Sequence, residues 1–331
     1  MTVYNGAAFV DRTLTRARNQ TYPHLEIIVV DDGSVDPSPQ IIAAHAQEDQ
    51  RIRVVRQENA GVTVARNRGV LEARGDLIAF LDHDDLWHSS IIQKQVARFG
   101  TCGDSTAVVY AWSCLIDRED RIISPISEPR FEGWVLAHMC RRNFIGNGSA
   151  AMIRRRAIED VGGCDETLSG DLVGNTDAQL YLRLAECYQF AVVPEVLVGY
   201  RLVTGSIADN HHRMIRSFRY VTAPFRARYP EHAASIDLQE KELIQWFCSR
   251  ALFRRDYIAA AATLRELTRL DPLFAAYSAA FVIVRPFLMR FRHRRSGLPA
   301  RFETLDAVEP GSPSNRPNVE SSPAGPAGGE P

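Results

Sequence analysis

The sequence has few of the features that mark secreted or nucleic-acid-binding proteins. Its 331 residues include six cysteines without a CxxC pair or zinc-like spacing, which favours free thiols in a reducing compartment. The first ten residues contain no basic residue and no long apolar run, so they do not predict a secretory signal. Lys and Arg number 39 against 40 Asp and Glu, which leaves no overall basic field for nucleic acid. We therefore expect a cytoplasmic protein without nucleic-acid partners.

The C-terminal part lacks acidic residues from Pro272 to Phe302, and six arginines accumulate there. Its uncharged apolar run, 273–284, is too short to cross a bilayer, which takes about 20 residues. An apolar helix followed by arginines is typical of an interfacial anchor on an anionic membrane surface. A helix that packs on the main domain and leaves its basic end in solvent fits the pattern equally well. We expect one of these two arrangements for residues 273–301, the first of which would make the protein peripheral on the inner face of the membrane.

The composition predicts three regions. Hydrophobic residues make up 45% and charged residues 24%, which are ordinary values for a globular chain. The last part is rich in Pro, Gly and Ser and has no aromatic residue after 308, so it cannot bury enough surface to fold. We predict an α/β domain over 1–210, a helical extension over 211–300 and a disordered tail over 301–331.

Short apolar segments alternate with helical patterns in the first hundred residues. Residues 26–31, 51–55 and 76–82 predict strands, and residues 37–47 and 61–75 predict helices between them. Strands that alternate with helices indicate a βαβ sheet, whose ligand site lies beyond the carboxyl ends of its strands.

Acidic residues follow two of these predicted strands. Asp31 and Asp32 close the first, and Asp82, Asp84 and Asp85 close the last. Two carboxylates separated by one residue suit Mg²⁺ or Mn²⁺ that is shared with a diphosphate. A DxD pattern alone is also common in turns and helix caps, and we expect Asp31 to cap its turn and Asp85 a helix that begins near Trp87.

Seven short segments of the first hundred residues carry a recognisable pattern: Thr2–Gly6, Gln20–Tyr22, Val30–Ser34, Glu58–Gly61, Ala65–Gly69, Ala73–Asp76 and Phe80–Trp87. In their order and spacing, these segments resemble the family 2 glycosyltransferases. The resemblance continues more weakly to about residue 210. It implies a GT-A fold, in which helices flank a Rossmann-like, mostly parallel central sheet. It also implies inverting transfer of a sugar from a nucleotide-diphospho-sugar to a glycan or lipid-linked acceptor, in cell-envelope or exopolysaccharide synthesis.

The resemblance assigns a donor site. Asp32 is expected to bind the imide face of the base, which favours a UDP- or dTDP-sugar because a carboxylate accepts from a ring N–H. The near wall of that pocket is formed by Thr2, Tyr4 and Asn5. Asp84 is expected to be the principal metal ligand, and Asp82 to steady the ribose or a metal-bound water.

Two arginines in resembling positions have alternative roles. Arg66 either approaches the donor or holds its own helix to an acidic strand end. Arg201 begins a loop that is expected to close over the diphosphate, where Arg201, His211 or Arg213 would meet phosphate charge. A solvated basic loop is the alternative for this segment.

The catalytic base expected from the resemblance is Asp177, at the start of a helix. The Glu that precedes this Asp in the family is Thr176 here. An Asp at a helix start is ordinarily a cap, and the loss of the Glu leaves open how Asp177 is oriented.

Two other functions remain open on the sequence. A non-catalytic binding protein with the same fold is one, and a sugar-nucleotide nucleotidyltransferase is the other, although the glycine-rich loop of the latter is missing from residues 2–9. The resemblance further implies that the opening strand lacks about five to ten residues before Met1.

Overall fold

The computed structural model describes residues 1–124, 128–203, 205–278 and 301–305. The first half of the main domain consists of β1 (Thr2–Val3), α1 (Val10–Arg18), β2 (Ile27–Asp31), α2 (Ser38–Glu48), β3 (Ile52–Arg56), α3 (Val62–Glu72) and β4 (Leu77–Ala79). The second half consists of β5 (Leu86–Trp87), α4 (Ile91–Phe99), β6 (Thr106–Ile116), α5 (Leu136–Arg141), β7 (Ala151–Arg154), α6 (Arg155–Asp160), α7 (Thr176–Cys187) and β8 (Gln189–Arg201). Three longer helices follow, α8 (His211–Arg228), α9 (Ala233–Phe253) and α10 (Tyr257–Leu270).

The strands form a parallel sheet and a mixed sheet that meet at one point. β1, β2 and β3 pair in parallel in that order. The mixed sheet has the order β4-β7-β6-β8-β5, in which only β6 and β8 run parallel. A parallel bridge between Thr2 and Asp82 joins them, so the ends of β1 and β4 lie side by side. The expected α/β class is confirmed, with parallel pairing among β1, β2 and β3 and between β6 and β8.

The parallel sheet positions the acidic strand ends because its central strand is wholly buried. All five residues of β2 are buried, which matches the apolar run seen in the sequence. β4 is shorter than the predicted 76–82, and its acids stand on the loop beyond it.

The expectation that Asp85 caps a helix near Trp87 is wrong. Leu86 and Trp87 form β5, which pairs with Val198 and Gly199 of β8, and the next helix begins only at Ile91. Sheet pairing holds this segment extended, and the carboxylate of Asp85 turns into the protein.

The helical extension packs on the main domain. Phe218, Val221 and Phe225 of α8 belong to the same buried cluster as the sheet core. Helices α9 and α10 enclose a smaller cluster that includes Ile244, Phe247 and Leu267. Among the described helices, none combines the length and the apolar character that a bilayer crossing requires.

The predicted start of the disordered tail at residue 301 is wrong. Residues 302–305 form a short 3-10 helix, and Phe302 is buried against Leu86, Cys114 and Ile116. An aromatic side chain of this size keeps its surroundings ordered by removing a large apolar area from water. The remaining tail, 306–331, and most of the predicted anchor segment lie outside the described residues.

Candidate active site

The carboxylate of Asp32 is held by the loop that follows β3. It is nearly inaccessible to solvent and accepts hydrogen bonds from Gln57 Nε2 (2.8 Å) and from the backbone N–H groups of Ala60 and Gly61 (both 2.9 Å). These three donors fix its position at the carboxyl end of β2. Asp31 caps its turn as expected, since it accepts from Ser34 N at 2.9 Å.

The segment after β1 forms a second wall at this edge of the sheet. Asn5 adopts a left-handed conformation with φ of 49°, and its side-chain oxygen accepts from Val35 N at 2.9 Å. Tyr4 is 48% exposed, which is unusual for an aromatic side chain next to a buried sheet. Thr2 lies beside Asp82 through the bridge between β1 and the end of β4. The structure thus brings Thr2, Asn5 and Asp32 to one edge.

Arg66 connects the acidic loop after β4 to the helix that carries the expected base. Its guanidinium donates to both carboxylate oxygens of Asp82 (2.8 and 3.1 Å) and to Thr176 Oγ1 (3.0 Å). Burial opposes ionisation of Asp82, but the charge and hydrogen bonds of Arg66 outweigh it and lower the pKa of Asp82 below its usual range. Of the two roles expected for Arg66, the geometry favours the one in which it holds an acidic strand end.

Asp85 is a buried anchor of the same loop. It accepts from Ser149 Oγ (2.6 Å) and from Arg201 N (3.0 Å), and it is inaccessible to solvent. Burial, together with the charges of Asp84 and Asp82, raises the pKa of Asp85 well above the usual carboxyl value. Asp82 N also donates to Ser149 Oγ, at 3.1 Å. One hydroxyl therefore ties two residues of the acidic loop together.

The guanidinium of Arg201 points into the protein. It donates to the backbone oxygens of Asp84 and Asp117, pairs with Asp120 at 2.6 Å and stacks over the ring of Phe9. Its side chain has no solvent-accessible surface. In this structure Arg201 supports the acidic loop and does not face the donor side.

Asp177 lies in the first turn of α7, where it accepts from the backbone N–H of Ala178 and from one side chain. Asn143 Nδ2 donates to Asp177 Oδ2 at 3.2 Å. Burial raises the pKa of Asp177 above the usual carboxyl value, although the charge of Arg66 acts in the opposite direction. Since Arg66 contacts both Asp82 and Thr176, the neighbour of Asp177, the structure brings Asp177 near the acids after β4.

Comparison with known proteins decides the family of this domain. Residues 1–162 match the model of "Glycosyl transferase family 2". EpsH of Bacillus subtilis, a glycosyltransferase by name, is 44% identical over 107 residues, which is 32% of this chain and 30% of EpsH. Residues 1–162 belong to glycosyl transferase family 2. The chain spans about a third of the length of the curated relatives it matches.

Solved structures share the fold of the family 2 domain and of much of the extension. Residues 1–349 of S. aureus TarS, in complex with UDP-GlcNAc, have a TM-score of 0.55 at 15% identity, over 89% of this chain and 90% of that 1–349 chain. The mannosyltransferase PcManGT from Pyrobaculum calidifontis, in complex with GDP-Man and Mn²⁺, has a TM-score of 0.55 at 19% identity, over 86% of this chain and 80% of PcManGT. At these identities the likeness concerns the fold, and it confirms the expected GT-A fold.

The acidic loop of the family 2 domain fits a divalent cation by its chemistry. Among the described residues, no side chain donates a hydrogen bond to the carboxylate of Asp84, and burial next to the charged Asp82 raises the pKa of Asp84. Such carboxylates are stabilised by a hard cation, which also takes diphosphate and water oxygens. Within the described part of the chain, no group of three His, Cys, Asp or Glu side chains is assembled as a metal site. The donor and water would therefore have to complete the coordination.

A cavity of about 340 Å³ borders this site, and its lining includes Thr2 and Arg66 but none of the acids after β4. It is lined mainly by apolar residues of β2, α3, α4 and β4, among them Ile28, Ala65, Ile78 and Val96. The residues expected to hold a nucleotide sugar, Asp32, Asp82 and Asp84, are not among its lining residues. We therefore do not assign donor binding to it.

Sequence reasoning missed the segment between α5 and β7 of the family 2 domain. This segment supplies Asn143 to Asp177 and Ser149 to Asp85, and it packs its backbone against Arg66. A Cβ at Gly148 would lie 2.8 Å from Arg66 Nη2, so only glycine allows this approach. The glycines at 146 and 148 were a turn signal in the sequence, but nothing local showed which side chains the turn meets.

Proposed function

We propose that the chain is an inverting glycosyltransferase that moves a sugar from a nucleotide-diphospho-sugar to an acceptor hydroxyl. One observation carries the proposal. The buried Arg66 contacts Asp82 of the acidic loop and Thr176, the neighbour of Asp177, so a candidate donor site and a candidate base line one cleft. An inverting displacement needs these two functions on opposite faces of the sugar.

The donor site is assigned to the edge formed by β1 and β2. Asp32 would accept from the imide N–H of uracil or thymine, and Tyr4, Thr2 and Asn5 would form the adjoining wall. The exposure of Tyr4 supports this assignment, because an aromatic face is then available to a base. The UDP-GlcNAc complex of TarS supports a UDP-sugar, whereas PcManGT is in complex with GDP-Man.

Asp84, with Asp82, would hold Mg²⁺ or Mn²⁺, and the complex of PcManGT with Mn²⁺ supports a divalent ion. The cation would neutralise the charge that develops on the departing nucleoside diphosphate. The chain's own residues prepare the loop for this role. Arg66 keeps Asp82 ionised, and Ser149 and Arg201 hold Asp85 and the backbone of Asp84 in place.

Asp177 would act as the general base. In the displacement, the acceptor oxygen forms a bond to the anomeric carbon as the bond to the diphosphate oxygen breaks. The acceptor proton passes to Asp177, and the diphosphate leaves with the electron pair. A carboxylate whose pKa lies above the usual value is a better proton acceptor than an exposed one.

The acceptor and the cellular setting come from the family. A glycan or lipid-linked acceptor in cell-envelope or exopolysaccharide synthesis fits a family 2 domain. Attachment of residues 273–301 to an anionic membrane surface would keep the enzyme near a lipid-linked acceptor.

The test measures donor hydrolysis and sugar transfer with a panel of UDP-, dTDP- and GDP-sugars and Mn²⁺. Asp84→Ala should lose metal-dependent donor binding, whereas Asp177→Asn should bind donor and fail to transfer. Asp76→Asn is the matched control, because Asp76 stands at the opposite end of the same strand and its side chain is almost fully exposed. Full activity of the first two variants would contradict the proposal, and donor binding without turnover in the wild type would favour a non-catalytic binding protein.

A further inference from the structure

The orientation of Asp177 needs a partner that its neighbour in the sequence does not provide. Thr176 stands where the resembled family has Glu, and its hydroxyl is used to accept from Arg66 at 3.0 Å. A catalytic carboxylate without a fixed orientation loses much of its efficiency, because positioning supplies a large part of catalysis. The partner must therefore come from another segment of the chain.

Asn143 is placed to be that partner, and its amide can have only one orientation. Its Oδ1 accepts from Gly146 N at 3.1 Å, so its Nδ2 is the group that faces Asp177 Oδ2 at 3.2 Å. An N–H donor stabilises the ionised form of a carboxylate and restrains its rotation. A reversed amide would set two acceptors against each other at Asp177 and two donors against each other at Gly146 N, which excludes it.

The helical extension holds Asn143 in place. The amide of Gln239 in α9, oriented so that both of its groups are satisfied, accepts from Asn143 N at 3.1 Å and donates to Cys140 O at 3.0 Å. One turn further along α9, Glu242 forms a two-pronged ion pair with Arg141 at 2.7 and 2.8 Å. These contacts attach the end of α5, and Asn143 two residues beyond it, to α9.

We infer that Asn143 is the positioning residue of the catalytic base Asp177, and that α9 fastens it there through Gln239 and Glu242. The role of Asp177 as the base in this inference rests on the proposed function. The contact between Asn143 and Asp177 does not depend on it. It gives the extension a part in the active site, because α9 would then be needed for the orientation of the base.

The other charged and titratable groups around Asp177 do not replace this contact. Arg66 of α3 favours the ionised form of Asp177, and Asp82 after β4 opposes it. Tyr181, which lies one helical turn along α7, is buried and donates to Asn147 O at 3.0 Å. Cys164 is buried, and its pKa is raised by that burial. Among the described residues, only Asn143 donates to the carboxylate from outside its own helix.

The experiment follows the carboxyl carbon of Asp177 by NMR as the pH is changed, with Asp177→Asn to assign the signal. In Asn143→Ala the pKa of Asp177 should rise by about one unit, equivalent to about 1.4 kcal/mol. Asn143→Asp, which keeps the size of the side chain, should raise the pKa further because two carboxylates repel. Gln239→Leu and Glu242→Gln should shift it in the same direction by less. The controls are Asn19→Ala on an exposed helix end and Glu48→Gln in an exposed ion pair.

An unchanged pKa of Asp177 in both Asn143 variants would overturn the inference. The proposed function is read separately, from the pH profile of kcat in the wild type and in Asn143→Ala. If both proposals hold, the acidic limb of the profile shifts to higher pH in Asn143→Ala, together with the pKa of Asp177. A wild type without transfer activity, together with the shifted pKa, would remove the proposed function and leave the positioning contact standing. A uniform loss of kcat with an unmoved limb and pKa would mean that Asn143 is merely structural.

Discussion

Replacement of Arg66 by methionine tests the central connection of the site. The side chain of Arg66 is 7% exposed and that of Asp82 is 27% exposed, so removal of Arg66 leaves a largely desolvated carboxylate without its partner. Breaking a buried ion pair from one side costs about 3–5 kcal/mol, and the partial exposure of Asp82 places this case near about 3 kcal/mol. The guanidinium carbon of Arg66 also lies 5.6 Å from the centre of the Phe80 ring. Methionine would keep the apolar part of this contact but not its charge.

The measurement is the free energy of unfolding in urea, with the melting temperature as a second readout. For a domain of this size, about 3 kcal/mol corresponds to a fall in Tm of about 6–12 °C. Arg68→Met is the control on the same helix, because its pair with Glu72 is on the surface and is worth at most about 1 kcal/mol.

A double-mutant cycle with Asp82→Asn decides whether the pair is the cause. The coupling energy between Arg66→Met and Asp82→Asn should be about 1–3 kcal/mol, since the two side chains share two hydrogen bonds. Additive costs, or a loss below about 1 kcal/mol in Arg66→Met, would refute the reasoning that this pair joins the two halves of the cleft.

Further predictions concern the backbone, the pH profile and the metal. Gly148→Ala should destabilise the protein by about 1–3 kcal/mol and lower transfer, because its Cβ would press on Arg66 Nη2 at 2.8 Å; Gly103→Ala, where the nearest atom is 4.0 Å away, should not. Transfer should fall as the pH drops through the pKa of Asp177, because a base with a raised pKa becomes protonated at a higher pH than an exposed carboxyl. A chelator should abolish transfer, and added Mn²⁺ or Mg²⁺ should restore it. Equal stability of the two glycine variants, activity that persists well below pH 4, or activity in chelator would each contradict the corresponding prediction.

The local parts of the fold could be predicted from the sequence. The buried strand over 26–31, the helices over 37–47 and 61–75 and the helix that begins near Asp177 follow from the period of their apolar residues, which is a local property. The meeting of Asp32 and Asp82 at one edge of the sheet also follows, because parallel strands end on the same side. The motif resemblance added the family, which the match over residues 1–162 confirms.

Side-chain roles were decided by tertiary structure. Arg201 lies in a segment that resembles a phosphate-binding loop, yet its backbone N–H donates to Asp85 and its guanidinium to backbone oxygens more than 80 residues away. Asp85 looked like a helix cap and became a buried partner of Ser149. In both cases the hydrogen-bond partner is distant in the sequence. A local sequence pattern therefore cannot predict which polar group the fold will bring next to the side chain.

The pattern of apolar residues was enough to place the first strands and helices and the acids at the strand ends, because burial and backbone pairing impose a short period on the chain. The contacts of Arg66 with Asp82 and α7, and the contact of Asn143, held by α9, with Asp177, emerged only from the folded chain. A carboxylate, an amide and a guanidinium can each pair with many partners, and the one that is chosen depends on the packing of elements that lie far apart in the chain.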